Sequence, residues 1–80
     1  MSVYKNLKPG DLFMPHRAFN VYNKKGTWYS EDRSGRVNDC EYVICVYVKK
    51  MQYNNAYYEI CIISRLGLGW MYPMTCEFNA

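Results

Sequence analysis

The stretch Glu41-Tyr-Val-Ile-Cys-Val-Tyr-Val-Lys-Lys50, followed after a polar break by Tyr57-Tyr-Glu-Ile-Cys-Ile-Ile-Ser64, holds the densest run of β-branched and aromatic residues in the 80-residue chain. Val43, Ile44, Val46, Val48, Ile60, Ile62 and Ile63 are branched at Cβ, which suits a pleated surface and loses side-chain freedom in a helix, so both runs read as strands. Between them lies Lys49-Lys-Met-Gln-Tyr-Asn-Asn-Ala56, in which Asn54 and Asn55 tolerate positive φ and fit a tight reversal. An antiparallel hairpin is expected. Neither run alternates cleanly between apolar and polar residues, as a strand with one wet face does. Both faces are therefore expected to be covered, one by the core and the other by the first half of the chain, by closure of a barrel, or by a second molecule. Register stays open at this level, because a slip of one residue exchanges the two faces.

Working outward, 80 residues make one domain spanning 1–80, with a small core that has to be well closed. A hydrophobic content of 50% with 18% aromatic residues excludes disorder, and no apolar run approaches the roughly 20 residues of a membrane helix. The opening Met1-Ser-Val-Tyr-Lys5 has no apolar signal region, which predicts a cytoplasmic protein, in the host cytoplasm if the source is viral. Cys40, Cys45, Cys61 and Cys76 are then read as thiols rather than disulfides. A hairpin symmetric about Tyr53 would set Cys45 opposite Cys61, which keeps a cross-strand disulfide as the lesser reading. There is no Cys-x-x-Cys pair and one histidine, His16, so neither a metal site nor a cofactor is expected.

Leu7-Lys-Pro-Gly-Asp-Leu-Phe-Met14 begins with a Pro9-Gly10 turn and predicts a short strand over 11–14, ended or placed at an edge by Pro15. From His16 to Asp39 the composition turns polar with interspersed rings. Phe19, Val21 and Tyr22, then Thr27, Trp28 and Tyr29, flank Asn23-Lys-Lys-Gly26 and suggest a minor hairpin, with 31–36 a solvated loop. The charge is uneven: residues 1–36 hold seven Lys or Arg against three acids, and residues 37–80 hold three against four. After the central hairpin, Gly67 and Gly69 allow a reversal, Trp70 and Met71 form a short strand, 72–75 a 3₁₀ turn, and 76–78 a last strand closing against the first.

The succession of Leu7-x-Pro9-Gly10-Asp11-Leu12, a long first loop, a strong hairpin and Gly69-Trp70-Met71-Tyr72-Pro73 resembles the SH3-like small β-barrels, in particular the stand-alone type of bacterial and phage proteins. The resemblance implies an all-β, partly open barrel of about five strands that contacts its partners through loops and strand edges. The acidic loop and aromatic pair with which eukaryotic members hold polyproline are missing, so that ligand is not implied.

No pairing of nucleophile with base, no carboxylate pair and no phosphate loop stands out, which points away from an enzyme. His16 lacks an orienting third group in the sequence and reads as a loop residue. Nine Tyr, two Trp and five Met exceed what a small core needs and favour a protein-binding module. Its contact residues are expected to be Arg17, Tyr22, Lys24, Lys25, Trp28, Tyr29, Arg33 and Arg36. Such a chain looks similar to small phage inhibitors that occlude a host protein, an anti-defence or transcription-blocking role. The alternatives are a nucleic-acid-binding barrel that uses the same basic and aromatic residues, and a homodimer formed through the second face of the hairpin.

Overall fold

Lys8, Pro9, Gly10 and Asp11 make the expected turn: the Asp11 amide donates to the Lys8 carbonyl at 3.1 Å, and Gly10 takes the positive φ (93°) that the third position requires. The turn delivers the chain to β1 (Leu12–Phe13), which Pro15 ends after two residues. The computed structural model describes Tyr4 and residues 6–25, 33–51 and 56–78. These form β1, β2 (Phe19–Tyr22), β3 (Arg33–Val37), β4 (Val43–Lys50), β5 (Tyr58–Ser64), β6 (Gly67–Met71) and a one-turn helix α1 (Thr75–Phe78). The described strands are six, one more than the expected five or so because Arg33–Val37 also pairs, and join in one open antiparallel sheet of order β1-β4-β5-β6-β2-β3, so the protein is mostly β.

The central hairpin of β4 and β5 is present, with a bulge that sets its register. Cys45 faces Ile62, but Tyr47 faces Cys61, leaving Val46 as the additional residue. Because Cys45 faces Ile62, Cys61 beside Ile62 points to the opposite face; both are buried free thiols, so the cross-strand disulfide is ruled out. The turn residues Asn54 and Asn55 lie outside the described residues.

Three expectations need correction. The partner of β2 is β3, so Arg33–Val37 is an edge strand rather than a solvated loop. Its sequence hides this, because an edge strand with its outer side in water needs one apolar anchor, here Val37. The expected partner segment 27–29 lies outside the described residues. Second, 72–75 is not a 3₁₀ turn, since Met74 bridges to Tyr57 and Thr75 opens α1, and 76–78 is not a closing strand. Tyr58 donates to the Pro73 carbonyl and Thr75 to the Ala56 carbonyl, so the segment is tied to β5, and the Glu77 carboxylate accepts the Met74 amide at 2.6 Å as in a capping box, starting α1.

Third, the sheet is not covered on both faces. The inner face carries Phe13, Val43, Cys45, Ile60, Ile62, Met71, Val21, Phe19 and Val37, all buried. Tyr4 unites its two ends: the ring lies edge-on to Phe13 of β1 (6.0 Å between centroids) and to Phe19 of β2 (6.4 Å), so the sheet curls around one cluster. Gly69 lets β6 approach β2, since a Cβ there would overlap the Val21 side chain. The outer face is open where Leu12, Ile44, Val46, Ile63 and Leu68 lie, all of them exposed.

Candidate functional site

Sheet pairing assigns the outer face of β5 the side chains of Glu59, Cys61 and Ile63, because Ile60 and Ile62 point inward. A carboxylate in this position requires partners, since burying one without them is costly. Glu59 is only 5% exposed and has them: the Tyr47 hydroxyl donates to Oε1 at 2.8 Å, the Tyr72 hydroxyl to Oε2 at 3.0 Å, and Lys25 Nζ lies 4.0 Å from Oε1. Trp70 Nε1 donates in turn to the Tyr47 oxygen at 3.2 Å. Burial, with the neighbouring carboxylate acting in the same direction, pushes the Tyr47 phenol up, so it stays protonated and keeps donating. Lys25 also sits 5.5 Å above the Tyr47 ring. The network locks the rotamers of Tyr47, Tyr72 and Trp70 and presents their rings as a fixed platform.

Beside the platform is a cleft of about 320 Å³ lined by Arg17, Phe19, Asn20, Tyr22, Tyr57 and Tyr72. Tyr22 and Tyr72 meet edge to face at 5.8 Å. Arg17 closes one end. Its Cζ lies 3.9 Å from the Phe19 centroid, while Nε and Nη2 donate to the two Glu77 oxygens at 2.7 and 3.2 Å. Donating to the Glu77 carboxylate pushes the Arg17 guanidinium still higher, so the pair is fixed in its charged form.

Glu77 is the hub of this corner. His16 Nε2 is 2.8 Å from its Oε1, and the Tyr4 hydroxyl is 3.1 Å from His16 Nδ1. Glu77 is thus the orienting third group of His16, sixty-one positions away in the chain and invisible to local spacing. The chain Tyr4–His16–Glu77 has the outline of a catalytic triad, but its hydroxyl belongs to a residue 1% exposed, whose pKa burial drives far above the ordinary tyrosine value. It can tie the N-terminal segment to α1, not attack a substrate. Burial also raises the Cys45 and Cys61 thiols, which keeps them protonated and unreactive.

Of the residues expected to make contact, Arg17 and Tyr22 line the cleft. Arg33 and Arg36 face Tyr22 and Asn20 across β2 and β3, and Lys24 and Lys25 follow directly on β2. Tyr22, Lys24, Arg33 and Arg36 thus share the β2–β3 flank, while Arg17 is held by Glu77 of α1 and Lys25 by Glu59 of β5. Trp28 and Tyr29 lie outside the described residues. Sequence reasoning missed Asn20, Tyr57, Tyr72, Tyr47 and Glu59, which sit on elements read as core or turn. The acidic Glu59, alone in an apolar strand, was the one signal that a polar cluster forms there. Among the described residues no group of His, Cys, Asp and Glu could hold a metal ion, and no helix is long and apolar enough to cross a membrane.

No protein-family model, no curated protein and no solved structure matches this chain.

Proposed function

We propose that the protein is a small binding module that grips another protein through the β2–β3 flank. The partner inserts one aromatic or aliphatic side chain into the tyrosine-lined cleft and sets acidic groups against Lys24, Arg33 and Arg36. The observation that carries this reading is the cleft itself. Concave, ring-walled and large enough for one side chain, it has rotamers held by the Glu59 and Glu77 networks, as the central pocket of a protein interface requires. The cations support a protein over a nucleic acid. Arg17 is committed to Glu77 and Lys25 lies beside Glu59, so two of the five expected contact cations already neutralise the protein's own carboxylates. In this reading the curled sheet is an SH3-like small barrel of the stand-alone type, supported by the Pro9-Gly10 turn into β1 and the Gly69-Trp70-Met71 strand. Its action is occlusion of a host protein, as a phage-type inhibitor would exert it.

The test is affinity capture by three forms: the wild-type chain, Tyr22→Ala, and Arg33→Glu with Arg36→Glu. Alongside it, single-stranded oligonucleotide is titrated at low salt while tryptophan fluorescence is read. The expected result is one stoichiometric protein held by the wild type, lost from both variants while their circular dichroism is unchanged, and a flat titration. A partner retained by both variants, or a fluorescence change with oligonucleotide that salt abolishes, overturns the reading in favour of another surface or of nucleic acid.

A further inference from the structure

Leu12, Ile44, Ile63 and Leu68 stand in register across β1, β4, β5 and β6, each paired with the next, and they are 61, 42, 46 and 56% exposed. Val46 at the bulge is exposed beside them, and so is Tyr42, two residues before Ile44. Sheet faces left in water ordinarily carry polar residues, and a row of four large aliphatic side chains without a charge departs from this. The order Leu, Ile, Ile, Leu reads the same from either end. A two-fold axis lying in the contact plane, along the strands between β4 and β5, would set Leu12 against Leu68 of the partner subunit and Ile44 against Ile63 of the partner subunit. Every pair then joins side chains of equal volume, which is what a self-complementary interface needs.

We propose that this face packs on the same face of a second copy, sheet on sheet, with the strands of the two copies nearly aligned. Charge does not oppose it. The ion pairs that flank the row are neutral within each copy: Lys8 with Asp11 (3.3 Å), next to Leu12, and Arg65 with Glu41 (3.1 Å), by Ile63 and Ile44. The cations Lys24, Arg33 and Arg36 belong to the β2–β3 flank, Lys25 is drawn to Glu59, and Lys49 and Lys50 lie at the far end of β4. The exposed parts of Leu12, Tyr42, Ile44, Val46, Ile63 and Leu68 amount to roughly 550 Å² per copy, so a pair buries about 1,100 Å², at the lower limit for a specific contact. The dimer is accordingly weak and reversible. The row shares no residue with the cleft, so this inference goes beyond the proposed function and stands or falls separately from it.

Sedimentation equilibrium of the full chain from about 10 μM to about 1 mM, the range for a contact of this size, is the test. The average mass is expected to rise from 9.5 kDa toward twice that value. Ile63→Lys and Leu68→Lys each weaken the association at least about tenfold, with unchanged circular dichroism and unchanged partner capture by the cleft. To test the axis, the exposed thiols are removed (Cys40→Ser, Cys76→Ser), and chains carrying Ile44→Cys or Ile63→Cys are oxidised separately and mixed. The mixture is expected to form disulfide-linked dimers faster than either chain alone. A wild type monomeric throughout overturns the proposal, whether its row then binds phosphatidylcholine vesicles, another protein or nothing. So does a dimer that survives in both lysine variants, or cross-linking of the Ile44→Cys chain alone as fast as the mixture.

Discussion

Ile62 and Ile63 are neighbours in β5 with the same side chain, yet one is fully buried and the other nearly half exposed. Ile62 belongs to the face that β1, β2 and Tyr4 curl around, whereas nothing among the described residues folds over Ile63. The outer face is itself divided. Toward Glu59 it is roofed by Tyr47 and Tyr72 and knit by hydrogen bonds, while toward Ile63 it is bare and apolar. The difference teaches that an apolar side chain records the need for cover, and that the cover need not come from the same chain.

The comparison breaks most sharply in the core. Ile62→Ala should cost about 3 kcal/mol in urea denaturation, because it leaves a cavity in a closed cluster, whereas Ile63→Ala should stay within about 0.5 kcal/mol for the monomer. Equal losses would mean that the outer row is packed after all. Gly69→Ala comes next, at about 2 kcal/mol, since its methyl has to displace Val21 or the β2 backbone; a neutral result would show that β2 and β6 part easily.

Glu59→Gln is expected to cost about 1 kcal/mol or more, because one tyrosine hydroxyl keeps only a neutral carbonyl acceptor and the other faces an amide nitrogen that cannot accept. It should also loosen Trp70, read as a shift in tryptophan emission. An unchanged spectrum would show that the platform does not depend on the carboxylate.

The smallest effect concerns acid. Burial alone would raise the Glu77 carboxyl, but the hydrogen bonds from Arg17 and the Met74 amide, with the charges of Arg17 and His16, outweigh it and hold the group below the ordinary glutamate range. A carboxyl lowered by folding adds stability above its unfolded pKa, and that stability is lost as pH falls through the folded value. Stability should therefore decline below about pH 4.5, the ordinary glutamate value, and Glu77→Gln should flatten that decline. An identical acid limb in the variant would remove Glu77 from the account.

Much of the frame was legible because it rests on local chemistry. The β-branched runs of β4 and β5, the Pro9-Gly10 turn, the edge strand stopped by Pro15 and the strand at Trp70–Met71 all follow from what each residue permits its own backbone, although that last strand begins three residues earlier, at Gly67. Where reading failed, the cause was distance. Arg33–Val37 became a strand because β2 pairs with it, and residues 76–78 continue into α1 rather than closing on β1, since 73–75 are tied to 56–58. Of the site, the cations and Tyr22 could be named from composition, but Tyr57, Tyr72 and the roles of Glu59 and Glu77 could not. Their partners lie up to 61 positions apart in the chain, from His16 to Glu77.

By itself, then, the sequence determined that this protein is a small β domain with a strong central hairpin and its excess of positive charge in the first half. Only the tertiary structure decided which face of that hairpin is core, which tyrosines meet across a cleft and which isoleucines are left in water. Propensity is a property of one residue and its neighbours, whereas burial is a property of everything that packs against it.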